Sequence, residues 1–301
     1  MSQISQNSRS QRRRPVAGRS VVATNYGIVA ASQPLAARAG TSQLERGGNA
    51  LDAAISANAA IGLMEPTGNG IGGDLFVIYY EAATGKVYGL NSSGYAPGGL
   101  SARYLKSKLH ATMPYRGIYS VTVPGVVAGW DVLRRRFGTK TFSELLAPAI
   151  FYADNGYPVS EVVAGSWSNA VELLAQFPNA AKTFLIDGHA PGPGEVFRNP
   201  DLANSLRLIA EHGREAFYKG PIADAILQIS REQGGMFTAD DLAEFEPEWV
   251  PPISTTYRGW TVHELPPNGI GIAALLMLNI MEQYPLGEWG FHSTQALHVM
   301  I

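Results

Sequence analysis

The sequence predicts an α+β fold in which helices and antiparallel strands are layered within one domain. Three observations carry this. Several segments with helical spacing open on capping residues and close on glycine; apolar runs double back around single glycine turns; and no repeat or long linker divides the 301 residues. With 46% apolar and 16% charged residues, the chain has a globular composition and enough apolar side chains for a sizeable core.

The first 18 residues form an arginine-rich tail, expected to be disordered, and the domain runs from 19 to 301. "SVVATNYGIVAAS" at 20–32 reads as strand material. In "QPLAARAGTSQLERGG", Leu35, Ala36, Ala39 and Leu44 keep helical spacing and Gly47-Gly48 supplies the stop. "NALDAAISANAAIGLM" is a second helix, with Asn49 as cap and Asp52 in the first turn, where the helix dipole favours an anion. "LFVIYY", "EAATGK" and "VYGLNSS" then predict a hairpin turning at Gly85.

Further along, "TFSE" at 141–144 is a capping box, and Asn199, Pro200 and Gly213 mark the start and stop of another helix. "GPIADAILQISREQGG" repeats that design, and "TADDLAEF" at 238–245 is a short capped helix. "PISTTYRGWTVHELPP" reads as two strands around Arg258-Gly259. "IGIAALLMLNIM" at 270–281 is too short for a bilayer, which takes about 20 residues, and is expected to be a buried helix. "HSTQALHVMI" is helical without a stop signal, so the domain is expected to continue past Ile301.

Composition excludes several chemistries. There is no cysteine, hence no disulfide, thiolate zinc site or cysteine nucleophile. Arg9, Arg12, Arg13, Arg14 and Arg19 account for five of the 23 basic residues, so the remaining 18 face 25 acids, a balance of −7. A nucleic-acid-binding body requires the opposite sign. No apolar stretch follows the early arginines as a secretory signal requires, and the compartment stays undetermined. The six histidines lack the spacing of a helical zinc site, so no metal is expected.

"EPTGNGIGGDLFVIYY" at 65–80 places Gly68, Gly70, Gly72 and Gly73 between a helix and a strand. A phosphate-binding loop needs the reverse order, strand then glycines then helix, so that the phosphate meets the helix amides. The glycines are therefore expected to supply positive φ and close packing in a tight passage, with Asn69 and Asp74 shaping a neighbouring pocket. No G-x-S-x-G elbow occurs, Asp240-Asp241 is explained by capping, Glu246 and Glu248 are expected to face solvent, and Thr255-Thr256 fits a strand. The residues alone reveal no reaction.

"ERGGNALDAAISANAAIGLMEPTGNGIGGDLFVIYY" resembles the large-subunit start of the γ-glutamyltranspeptidase family. "YSVTVPGVVAGWDVLRRRFGT" at 119–139 resembles that family's Pro-Gly-x-x-x-Gly segment, and "LAPAIFYADNGYPVS", "FYKGPIADAI", "GGMFTADDLAEFEP" and "YRGWTVHELPPNGIGIAALLMLNIME" continue in family order. The likeness covers residues 19–301.

The resemblance implies an N-terminal-nucleophile hydrolase, an α/β/β/α sandwich made as a precursor that cuts itself ahead of a threonine. That threonine attacks γ-glutamyl amides and passes the acyl group to water or an amino acid, without a cofactor. The nucleophile is expected beyond Ile301, in a self-derived small subunit, so that no catalytic residue lies in these 301 residues and the chain alone is inert. The family also places an arginine for the substrate α-carboxylate just ahead of an Ala-Pro pair. Here, ahead of Ala96-Pro97, the corresponding positions hold Ser93 or Tyr95, neither able to make a bidentate carboxylate contact. Ser93, Tyr95 and Arg116 are accordingly the candidate substrate-binding residues, Arg116 as a replacement cation or else an exposed loop arginine. A glutaryl, cephalosporin-like or oxamate-like substrate, or a noncatalytic role, stands as the alternative.

Overall fold

A computed structural model describes residues 21–108 and 110–301; the tail expected at 1–18 lies outside the described residues. Two helices open the fold, α1 (Pro34–Glu45) and α2 (Ala50–Met64), and they pack closely, with Gly40 of α1 so near α2 that a Cβ there would sit 2.7 Å from the Ala53 carbonyl oxygen and 3.3 Å from the Ala57 Cβ. Their junction closes tightly: Gly47 has φ +79° and the Gly48 amide donates to the Gln43 carbonyl at 2.8 Å. Asn49 then caps α2, accepting from the Leu51 and Asp52 amides, while Asp52 accepts from the Asn49 amide in return.

The predicted hairpin is β1 (Leu75–Glu81) and β2 (Lys86–Ser92), joined through Gly85 at φ +67°. A short helix α3 (Ala102–Ser107) follows. Helix α4 (Val126–Phe137) lies against β2, and α5 (Phe142–Asn155) begins with the Thr141 and Glu144 capping box. The buried Asp52 carboxylate ties these together, accepting from the Thr139 amide at 3.0 Å and its hydroxyl at 2.6 Å.

A two-residue strand β3 (Tyr157–Pro158), helices α6 (Glu161–Ser168), α7 (Val171–Leu174) and α8 (Pro178–Phe184), and strand β4 (Val196–Phe197) form a small lobe in which β3 pairs with β4. Trp167 anchors it, with its ring 4.8 Å from that of Phe197. Helix α9 (Pro200–His212) packs on α5, followed by α10 (Arg214–Tyr218), α11 (Pro221–Glu232) and α12 (Ala239–Ala243). Strand β5 (Glu248–Val250) returns to pair antiparallel with β2, giving the order β1-β2-β5. The main core lies between this sheet and the helices, with Trp130, Tyr218, Ile55, Leu63 and Leu90 nearly inaccessible.

The final part holds the hairpin β6 (Ile253–Tyr257) and β7 (Trp260–Glu264), turned at Arg258 and Gly259, both with positive φ. Thr255 and Thr256 lie within β6, as the strand pattern predicts. Helices α13 (Gly271–Met281), α14 (Leu286–Trp289) and α15 (Thr294–Met300) complete the chain.

Two expectations are corrected. Residues 21–32 form no strand, because a strand requires a hydrogen-bonded neighbour and none lies beside them among the described residues. Helix α13 forms, yet only Leu275 is buried, with Leu276, Met277 and Ile280 each at least half exposed. Its main packing is on β6, β7 and α15, and the side carrying Leu276, Met277 and Ile280 is left largely uncovered among the described residues. No helix among those residues is long and apolar enough to cross a membrane.

Candidate functional site

The segment after β2 is fixed by close backbone contact with residues 122–125. Gly94 has φ +82°, and a Cβ there would sit 1.8 Å from the Val123 carbonyl oxygen. A Cβ on Gly125 would lie equally close to the Ser92 carbonyl oxygen. The Val123 amide donates to the Tyr95 carbonyl at 2.9 Å, and the buried Ser92 hydroxyl donates to the Gly125 carbonyl at 2.7 Å. The Pro-Gly-x-x-x-Gly run at 124–129 thus lets two strands of backbone touch and starts α4 beside them. The Tyr218 hydroxyl locks that start, donating to the Pro124 carbonyl at 2.6 Å and accepting from the Ala128 amide at 3.1 Å, one of the amides without a partner in the first helical turn.

So positioned, Ser93 and Tyr95 face a cleft of about 280 Å³ together with Asn91, Glu248 and Asn268. The Asn268 side-chain amide donates to the Ser93 hydroxyl oxygen at 2.9 Å, and Asn91 Nδ2 donates to Asn268 Oδ1 at 2.9 Å. Asn91 Oδ1 in turn accepts from the Ser93 amide at 3.1 Å. The Tyr95 hydroxyl donates to Glu248 Oε1. That hydrogen bond, with slight burial and the adjacent carboxylate charge, raises the Tyr95 hydroxyl above its ordinary value, so it stays a donor at neutral pH. Glu246, at the edge of the cleft, pairs with Arg214 at 2.9 Å.

Arg116 does not share this cleft. It is exposed, with its guanidinium 5.5 Å from the Tyr115 ring centre, and it borders a separate cavity of about 420 Å³ walled by Pro66, Thr67, Trp167, Leu173 and Phe184. Among the described residues, no Lys, Arg or His lines the cleft around Ser93. Asn91 and Asn268 escaped the sequence reading, which took Glu248 only as a solvent-facing carboxylate. Glu248 is exposed as expected, but it is directed at Tyr95; "PPNGIG" around Asn268 signals a tight turn and nothing about its partner.

The glycine loop borders a third cavity, about 440 Å³, shared with Asn58, Asn69, Asp74 and Val126. Burial raises the Asp74 carboxyl above its usual value. The expected positive φ is absent: Gly68, Gly70, Gly72 and Gly73 all lie outside that region, and a Cβ on Gly68, Gly70 or Gly72 would meet nothing within 4 Å. The loop has room for side chains, and the close approach belongs to α2, where a Cβ on Gly62 would come 3.3 Å from the Gly70 Cα. Among the described residues no three His, Cys, Asp or Glu side chains converge as a metal site.

Comparison with known proteins adds three findings. The family model described as gamma-glutamyltranspeptidase matches residues 36–301. Among curated proteins, the chain is 38% identical to a glutathione hydrolase-like YwrD proenzyme of Bacillus subtilis over 94% of its own length and 54% of the relative's. It is 34% identical to an acylase ACY 1 proenzyme of a Pseudomonas species over 91% and 51%. The chain therefore spans about half the length of the curated relatives it matches. Among solved structures, the Helicobacter pylori gamma-glutamyltranspeptidase aligns with TM-score 0.88 at 30% identity, covering 93% of this chain and 82% of that one. The cephalosporin acylase of Bacillus halodurans aligns with TM-score 0.83 at 38% identity, covering 95% and 55%.

Proposed function

The chain belongs to the γ-glutamyltranspeptidase family, and from that premise we propose that it is the scaffold portion of an enzyme that cleaves γ-glutamyl or related amides through an acyl-enzyme. The observation that carries the reading is the family match over 36–301, which includes every residue that builds the cleft beside Ala96-Pro97. Within that cleft, Ser93 is held by amide side chains and Tyr95 by a carboxylate, and among the described residues neither hydroxyl is paired with a histidine or amine as a general base. The cleft is a place to hold an acyl group, and the attacking group comes from a threonine outside these residues.

In this reading the precursor cuts itself to expose that threonine, and the α/β/β/α sandwich is completed by the portion that carries it. The new α-amine, with a pKa of about 7.7 to 8.0, takes the proton from its own hydroxyl near neutral pH. The threonine oxygen bonds to the substrate carbonyl, the amide C–N bond breaks, and the amine leaves with a proton. Water or an amino acid then takes the acyl group and frees the threonine.

Neutral Ser93 and Tyr95, at the positions where the family resemblance calls for arginine, favour a second substrate reading, an acylase acting on a different acyl amide. The cephalosporin acylase of Bacillus halodurans and the Pseudomonas acylase among the relatives are consistent with it.

The complete coding sequence, expressed and purified, is expected to yield two chains on a denaturing gel and to release nitroaniline from acyl anilides. The 301-residue chain alone is expected to release none. A folded, complete protein that neither splits nor cleaves any γ-glutamyl or related acyl anilide would overturn the reading in favour of a noncatalytic homologue.

A further inference from the structure

The cleft around Ser93 carries the wrong charge for a carboxylate. Among the described residues no Lys, Arg or His lines it, whereas two carboxylates do, Glu248 and Glu246. Glu246 is offset by Arg214, which is itself buried and donates to both the Glu246 carboxylate and the Phe245 carbonyl. Glu248 has no such offset. Its side-chain partner is the Tyr95 hydroxyl, on Oε1, and Oε2 has no protein partner among the described residues.

The floor is neutral and already self-satisfied. Asn91, Asn268 and Ser93 form a closed chain of hydrogen bonds, so the cleft can offer a carboxylate only the remaining hydrogens of neutral groups. A bidentate pair with a cationic donor is not available there among the described residues. An ammonium meets the reverse situation, a carboxylate acceptor held in place by Tyr95 and neutral oxygens beside it.

Resting on the acyl-transfer reading above, we infer that this cleft selects an acyl head ending in an amine and discriminates against a carboxylate at the same position. The preferred substrates are amides of 4-aminobutyryl type, which keep the amine of a γ-glutamyl group and lack its α-carboxylate. Glutaryl amides, which keep the carboxylate and lack the amine, are the poorest, and γ-glutamyl amides fall between.

The test uses the complete, processed protein and anilides of four acyl groups, 4-aminobutyryl, butyryl, γ-glutamyl and glutaryl, compared by kcat/KM. The 4-aminobutyryl anilide is expected to exceed the glutaryl anilide by about tenfold or more, the scale of one charge-assisted hydrogen bond. Glu248→Gln is expected to shrink that ratio by about threefold or more. Preference for the glutaryl or γ-glutamyl anilide, or a ratio untouched by Glu248→Gln, overturns the inference and leaves the enzyme reading standing. Should no anilide be cleaved, the enzyme reading fails by itself. The head preference is then decided by NMR titration of the wild-type protein with 4-aminobutyramide and with glutaramate, where tighter glutaramate binding overturns it.

Discussion

Replacing Gly94 by alanine tests whether the backbone clamp between residues 92–95 and 122–125 places the cleft. The new Cβ would start 1.8 Å from the Val123 carbonyl oxygen, and ordinary contact begins at 3.4 Å, so the two segments must part by about 1.6 Å. At φ +82° the alanine also carries backbone strain of about 1–3 kcal/mol. Parting the segments breaks the 2.9 Å bond from the Val123 amide to the Tyr95 carbonyl, worth about 1 kcal/mol. The expected loss is thus about 2–4 kcal/mol in urea unfolding of the complete protein. Movement on this scale displaces Ser93 and Tyr95, with a fall in kcat/KM of about 100-fold for acyl anilides. Gly85→Ala is the control, since φ +67° gives strain but a Cβ there meets nothing within 4 Å and the hairpin turn is remote from the cleft. If Gly94→Ala unfolds no more easily than Gly85→Ala and keeps kcat/KM within about twofold, the clamp does not position the site.

Tyr218→Phe removes the hydroxyl that serves both the Pro124 carbonyl and the Ala128 amide, and is expected to lower unfolding stability by about 1–3 kcal/mol; an unchanged urea midpoint would contradict this role. Asp241 carries the pH prediction. Burial raises its carboxyl, but the Gly98 and Thr238 amides and the Thr238 hydroxyl together outweigh this and hold it below the ordinary carboxylate value. A lowered folded value means a contribution present above the unfolded pKa and lost as pH falls through the folded one. Unfolding midpoints of wild type and Asp241→Asn, followed from about pH 6 to 2, should therefore converge at the acid end; parallel curves would refute it.

Local chemistry was legible in the sequence wherever the partners are neighbours. The capping pairs Asn49 with Asp52, Thr141 with Glu144 and Thr238 with Asp241 all form, and so does the hairpin turning at Gly85. Those groups lie within a few residues of one another, so composition and spacing determine them. Strand character at 21–32 and burial of α13 depend instead on what lies alongside, which no local pattern encodes. The cleft shows the same limit. The family resemblance pointed to Ser93 and Tyr95, but their partners Asn268 and Glu248 stand 175 and 153 residues away. Glycine was misread in a related way, since clusters attract notice while severe steric demand falls on glycines outside the cluster, Gly94 and Gly125 among them, each with a Cβ position 1.8 Å from a carbonyl oxygen.

On the proposed acyl-transfer reading, the placement of Ser93 would let the scaffold change its substrate without changing its fold. Gly94 and Gly125 fix the path of the main chain on either side of the cleft, and the Ser93 amide and carbonyl are taken up by Asn91 and Thr122. None of these contacts uses the Ser93 side chain, whose hydroxyl engages only Asn268 among the described residues. The identity of residue 93 is therefore decoupled from the local backbone, and a cation there would act on ligand choice before stability. With a neutral residue in that place, the nearest charge without an ionic partner is Glu248, which β5 carries into the cleft by pairing with Asn91 on β2. The sign of the preferred head group then follows from a residue whose position is set by the sheet register and held by Tyr95, which is why substitution at Glu248, more than at Ser93, is the direct probe of what this cleft selects.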